Sequence, residues 1–166
     1  MTFTAIDFET ANKVKTSACQ IGIIVVENGK IIKEFSSYIK PPEPDYFLKE
    51  FTDNIHGITK EMVKNAPTFK ELWETISGYI INTPVIVAHN AHFDFGVLNS
   101  LLDFYDIKTN LPTVYCTLRA ARKYLPRLEN HQLSTVSKHF NIQLNHHEAL
   151  SDARAAANIA LEFKVR

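Results

Sequence analysis

Two carboxylates, Asp7 and Glu9, close the first apolar run of the chain, Phe3-Thr4-Ala5-Ile6. If that run is a strand, residues two apart point to one face, so both acids share it. Like charges placed this way repel and resist desolvation, and a cation between them relieves both costs. Asp94 follows a second apolar run, Val85-Ile86-Val87-Ala88, and falls in the first turn of a helix marked by Phe95, Leu98, Leu101, Leu102 and Tyr105. Asp152 lies in a stretch with Ala149, Ala153, Ala156, Ala157 and Ala160 at helical spacing, and His147 precedes it by five residues. On one continuous helix, residues five apart are about 140° out of line. His147 therefore converges on Asp152 only from a loop just before the helix.

The types of these residues specify a chemistry. Asp7, Glu9, Asp94 and Asp152 each stand at the start or end of an expected element, among apolar neighbours where a charge without a role is not expected. Oxygen-only ligands favour magnesium or manganese over zinc. Four carboxylates around two divalent cations about 4 Å apart form the clamp used for in-line displacement at phosphorus. Such a site needs a base to activate water, and His147, with an ordinary pKa near neutrality, is the candidate.

The elements that must position these groups can be read in order. After the first strand, residues 11–17 are polar and read as a loop. Cys19 to Val26 is a β-branched apolar strand, Asn28-Gly29 is a hairpin turn, and Lys30 to Lys40 is its partner strand. Pro41-Pro42-Glu43-Pro44 opens a long connection. Thr59 caps a short helix around Met62 and Val63. Pro67 is expected at the first position of an amphipathic helix carrying Phe69, Leu72, Trp73, Ile76 and Ile80. Val85 to Ala88 reads as a strand buried on both faces. Pro112 to Thr117 follows as a further short strand, then helices over 118–125 and 131–140 and the alanine-rich last helix. Three strands with a hairpin, then alternating helix and strand, predict an α/β fold: a mixed five-stranded sheet flanked by helices. With Val85–Ala88 parallel to the first strand, Asp7, Glu9 and Asp94 meet at neighbouring carboxyl ends.

The bulk composition sets bounds. A chain of 166 residues suits one domain, expected here to span 1–166. No apolar run approaches the roughly 20 residues a membrane span needs. No secretory signal is visible, and Cys19 and Cys116 make no disulfide framework, so a cytoplasmic location is expected. Net charge is zero, with 18 basic and 18 acidic residues, so local charge or bound metal must attract any nucleic acid. The densest basic cluster is Arg119, Arg122, Lys123 and Arg127, which reads as a solvated helix face or, alternatively, as the receiver of phosphates of an incoming strand.

Asp7-Phe8-Glu9-Thr10, His89-Asn90-Ala91-His92-Phe93-Asp94 and His147-Glu148-Ala149-Leu150-Ser151-Asp152-Ala153 resemble the three motifs of the DEDDh exonuclease family. Gln20-Ile21-Gly22, Ile55-His56-Gly57-Ile58 and Asn130-His131-Gln132-Leu133 also fall where that family has similar segments. The family has the ribonuclease-H-like fold, and its members include the proofreading epsilon subunit of bacterial DNA polymerase III. The resemblance implies a 3′–5′ exonuclease acting on single-stranded DNA or RNA ends and releasing nucleoside 5′-monophosphates. It implies that Asp7, Glu9 and Asp152 hold one cation and that Asp7 bridges to a second supported by Asp94. It further implies His147 as general base, and Thr10, His56 and Phe93 as contacts to the terminal nucleotide. Cys116-Thr117 departs from the Asp-Thr of many relatives at a position that is not a metal ligand. A polymerase partner fits the resemblance, although the chain's end at Arg166, soon after the last helix, weighs against a polymerase-subunit role. The alternative is a catalytically silent nucleic-acid or partner-binding module on the same fold. Such a module would have lost one of the acids, and all four are present with the histidine.

Overall fold

The computed structural model describes residues 1–43 and 47–164, so Pro44 of the expected breaker lies outside the described residues. Five strands form one mixed sheet: β1 (Phe3–Thr10), β2 (Ala18–Glu27), β3 (Lys30–Tyr38), β4 (Val85–Ala88) and β5 (Thr113–Cys116), in the order β3-β2-β1-β4-β5. The hairpin turn Asn28-Gly29 has positive φ at both residues, the geometry that matches the twist of the flanking strands. It joins β2 and β3 antiparallel, and β2 is also antiparallel to β1. β4 runs parallel to β1 and to β5. This is the mixed sheet expected from the sequence, with the β3 strand ending at Tyr38 rather than Lys40.

Alternation along β1 sorts two cores. Ile6 and Phe8 face a layer built by α3 (Phe69–Ile81) and α4 (Ala91–Phe104), with Phe69, Leu72, Ile76, Leu98 and Leu101 buried there. Phe3 and Ala5 face α7 (Ala149–Glu162), whose Ala153, Ala157 and Ala160 are fully buried against the opposite side of the sheet. Asp7 and Glu9 continue the odd-numbered face and so point toward the α7 side.

Among the described residues the remaining helices are α1 (Lys49–Phe51), which runs into a π turn at Thr52–His56, α2 (Lys60–Val63), α5 (Thr117–Tyr124) and α6 (Leu133–His139). Thr59 caps α2 as expected, accepting from the Met62 N–H. Pro67 is not the first residue of α3. Thr68 takes the N-cap through a reciprocal box with Glu71, which leaves the proline outside the helix. The Pro67 carbonyl instead accepts from the Lys40 N–H. The polar segment 11–17 is a loop with a 3₁₀ turn at Lys15–Ser17.

The small residues of α7 allow an unusually close docking. A Cβ placed on Gly22 of β2 would lie 2.2 Å from the Ala149 carbonyl oxygen. Only glycine at this position lets the first turn of α7 rest on the sheet. Gln20 secures the same contact, its Oε1 accepting from the Ala149 N–H at 3.3 Å.

Candidate active site

Because Gly22 pairs with Asp7 and Gln20 pairs with Glu9 across β1 and β2, the docking of α7 occurs directly beside the two acids. Asp152, in the first turn of α7, thereby reaches them: carboxylate oxygens of Asp7, Glu9 and Asp152 all lie within 4.8 Å of one another. The first turn of α7 is capped by Glu148, whose carboxylate accepts from the Leu150 and Ser151 N–H groups at 3.2 and 2.9 Å. Asn145 and Ser151 close the preceding loop with a hydrogen bond of 2.8 Å.

Asp94 arrives from the other helical layer. β1 and β4 pair only at Thr4–Ile86 and Ala5–Val87, so beyond Ala5 the β1 backbone has lost its parallel partner. Asp94 takes that place, its Oδ1 accepting from the buried Phe8 N–H at 2.9 Å. Asn90 adopts a left-handed conformation, φ 66°, at the start of α4, turning the chain from β4 into the helix that carries Asp94. Asparagine tolerates that region better than most residues.

The four acids strain one another electrostatically. Burial pushes Asp7 well above the ordinary carboxylate range, and the charges of Asp94, Asp152 and Glu9 push it further. Glu9 rises to about 8, through burial and then Asp152 and Asp94. Asp94 rises to about 7 through burial, against the Phe8 N–H, which favours its ionised form. Burial also raises Asp152, opposed by His146. Divalent charge placed among these groups removes the penalty for ionising them.

Asp152 also shows where such charge would sit. Its Oδ2 accepts from Nδ1 of His146 at 2.9 Å and from the His147 backbone N–H at 3.2 Å. Its Oδ1 is buried and, among the described residues, has no hydrogen-bond partner. A buried carboxylate oxygen left bare is costly in a protein interior and is the natural ligand of a hard cation. The donor set therefore fits a divalent metal, held by Asp7, Glu9 and Asp152 with Asp94 adjacent.

His147 lies outside α7, as its spacing from Asp152 requires, and its backbone is left-handed at φ 68°. Its ring stacks on that of His146, with centroids 3.8 Å apart and planes inclined by 19°. Burial and then the neighbouring His146 lower the His147 pKa, keeping the ring neutral and able to accept a proton near pH 7. His146, Glu148 and Gln20 were not among the residues expected from the sequence. The doubled histidine was the available signal for His146. Gln20 stood out only within the family-like segment Gln20-Ile21-Gly22 and without a role, because its contact with Ala149 spans most of the chain.

The acids face a cavity of about 990 Å³, lined also by His146, His147, Asn90, Phe93, Arg122 and the 130–134 segment. Phe93 is 38% exposed at this rim. Thr10 and His56 are not part of the lining. Thr10 is buried, and its carbonyl accepts from Nε2 of His56 at 2.9 Å, while Nδ1 of His56 accepts from the Ile58 N–H at 3.0 Å. Both ring nitrogens of His56 are thus spent on backbone, tying the end of β1 to the turn before α2. His89 is a brace of the same kind, with Nδ1 2.9 Å from the Thr117 hydroxyl and Nε2 2.9 Å from the His131 carbonyl. Burial lowers its pKa to about 4, so it stays neutral.

Comparison with known proteins agrees with this arrangement. The family model described as "Exonuclease" matches residues 4–160. The PolC-type DNA polymerase III of Oceanobacillus iheyensis is 34% identical over 157 residues, covering 93% of this chain but 11% of the polymerase. Among solved structures, exonuclease X in complex with 5′-overhanging duplex DNA superposes with a TM-score of 0.77 at 24% identity, covering 97% of this chain and 90% of that one. The nuclease domain of 3′hExo, a DEDDh family member bound to rAMP, gives 0.78 at 16% identity, covering 98% and 91%. With the family model spanning nearly all of β1 through α7, this chain belongs to the exonuclease family and has the ribonuclease-H-like fold.

Proposed function

We propose that this domain hydrolyses single-stranded DNA or RNA from the 3′ end, releasing nucleoside 5′-monophosphates with magnesium or manganese as cofactor. The observation that carries this reading is the convergence of Asp7, Glu9 and Asp152 within 4.8 Å, with Asp152 Oδ1 buried and unpartnered. Asp7, Glu9, Asp94 and Asp152 would hold two divalent cations, which when bound lower the pKa of water and neutralise charge developing on the phosphate. The remaining work falls to the chain. His147, neutral and at the cavity wall, accepts the proton of the attacking water. A bond forms between the water oxygen and phosphorus as the bond from phosphorus to the 3′-oxygen of the preceding nucleotide breaks. Phe93, exposed at the rim, offers its face to the terminal base. Thr10 and His56, joined to each other, act on that nucleotide by fixing the end of β1 rather than through the His56 nitrogens.

The test is trimming of a 5′-labelled oligonucleotide. Cleavage should require added metal and stop in EDTA or with Asp7→Ala. His147→Ala should slow it by about 10²–10⁴-fold, the usual contribution of a positioned general base. A folded protein that cleaves neither DNA nor RNA at any magnesium or manganese concentration would refute the proposal. It would favour the silent binding module instead. The PolC relatives make a polymerase partner, or polymerase domains elsewhere in the same polypeptide, a natural setting for this activity.

A further inference from the structure

We propose that a groove between α4 and α5 carries the 5′ continuation of the single strand whose 3′ end occupies the active site. This rests on the exonuclease reading and extends it away from the carboxylates. The groove has a volume of about 850 Å³ and shares Asn90, Leu118 and Arg122 with the active-site cavity, so a chain leaving one over Leu118 enters the other.

Its lining is of one charge sign. Arg119, Arg122 and Lys123 line it, and no aspartate or glutamate does. A fourth cation reaches the rim: Lys15 lies across α4 so closely that a Cβ on Gly96 would sit 2.5 Å from its Nζ. Gly96, which lines the groove, makes room for it. Among the described residues none of these four cations has a carboxylate partner, although acidic and basic residues are equal in number. Arg127, expected to act with them, instead lines a separate hollow with Pro126 and His139. Cations left unpaired around a concave surface attract a polyanion.

The aromatic lining selects the single-stranded form. Phe95, Tyr115 and Tyr124 line the groove, and Tyr124 is 55% exposed, its ring meeting that of Phe163 at 5.5 Å between centroids and the Lys123 ammonium at 5.1 Å. Bases stack on such faces only when they are free of a partner strand's stack, and stacking tolerates any sequence.

Binding in EDTA, where no cleavage occurs, tests the groove separately from catalysis. Fluorescence anisotropy with 5′-fluorescein-dT12 would compare wild type with the double variant Arg119→Glu/Lys123→Glu and with Tyr124→Ala, melting temperatures establishing that each is folded. The double variant should bind at least tenfold more weakly, and the slope of log affinity against log salt should fall by about 1.4, or about 0.7 for each lost phosphate contact on a single strand. Tyr124→Ala should weaken binding severalfold and leave the slope as it is. Unchanged affinity and slope in the double variant would overturn the proposal, as would a blunt 12-base-pair duplex bound as tightly as dT12. Binding that follows these expectations in a protein that never cleaves would uphold the groove and count against the catalytic reading. Cleavage with binding indifferent to the charge reversals would do the opposite.

Discussion

Replacing Glu9 by glutamine should remove cleavage and yet stabilise the metal-free protein at alkaline pH. The reasoning starts from the rise of the Glu9 pKa from 4.5 to about 8 on folding. A carboxyl whose folded pKa lies above its unfolded value favours the folded state fully below the unfolded value. That favour is lost progressively as pH rises toward the folded one. At about 1.4 kcal/mol per pKa unit, the full cost of holding Glu9 in place at pH 8 is roughly 4–5 kcal/mol. Water in the open cavity screens part of this, leaving about 2–3 kcal/mol at pH 8 and under about 1 kcal/mol at pH 5. For a chain of this length the advantage of the variant at pH 8 corresponds to about 5–10 °C in melting temperature. The assay is a thermal melt of wild type and Glu9→Gln in EDTA from pH 5 to 8, repeated with manganese. The difference between the two proteins is the quantity to follow, because His89, lowered to about 4, destabilises both as pH falls below 6.5. Manganese should raise the wild-type melt at pH 8 and raise the variant much less. A variant that melts below wild type at pH 8 in EDTA would refute the argument that the acids are strained without metal.

Other perturbations probe the supports of the site. Gly22→Ala would drive a methyl into the Ala149 carbonyl, and the displaced α7 should cost about 2–3 kcal/mol, read as a melting temperature lower by about 5–10 °C, with metal affinity falling as Asp152 moves. His146→Ala removes the side chain that orients Asp152, so manganese affinity should fall about 10–100-fold, with His146→Asn restoring part of it because its amide can still donate. Arg154 and Glu34 form a two-point ion pair between α7 and β3 at the surface, and Arg154→Ala should cost less than about 1 kcal/mol and leave cleavage unchanged.

What the sequence disclosed follows the range of the forces involved. The hairpin at Asn28-Gly29, the buried β4 run and the cap at Thr59 are local, and each appears in the structure, whereas α3 is opened by the Thr68 cap and not by Pro67. Pairing β4 parallel to β1 then brings Asp94 beside Asp7 and Glu9 as a matter of topology. Contacts made only on tertiary closure were less visible. The choice of the Phe8 N–H as Asp94's partner depends on where β1 and β4 part, and the role of Gln20 depends on how deeply α7 docks. Arg127 was counted in one basic cluster with Arg119, Arg122 and Lys123, but it lies beyond the end of α5 and lines a separate hollow. Thr10 and His56 were both singled out, and their mutual hydrogen bond explains their proximity to the site without placing either in the cavity.

The seating of Ala149 on Gly22 has a consequence for how the enzyme comes into being. Asp7 lies in β1 and Asp152 in α7, and β2 to α6 are synthesised between them. Pairing segments so far apart is slow relative to forming the intervening hairpin and helices. A nascent chain can therefore build most of its sheet while its carboxylates stay apart, and a fragment released before α7 would carry the sheet without Asp152. Synthesis of α7 long after β1 keeps Asp152 away from Asp7 and Glu9, so the three acids form a cation-binding cluster only once both segments have been made.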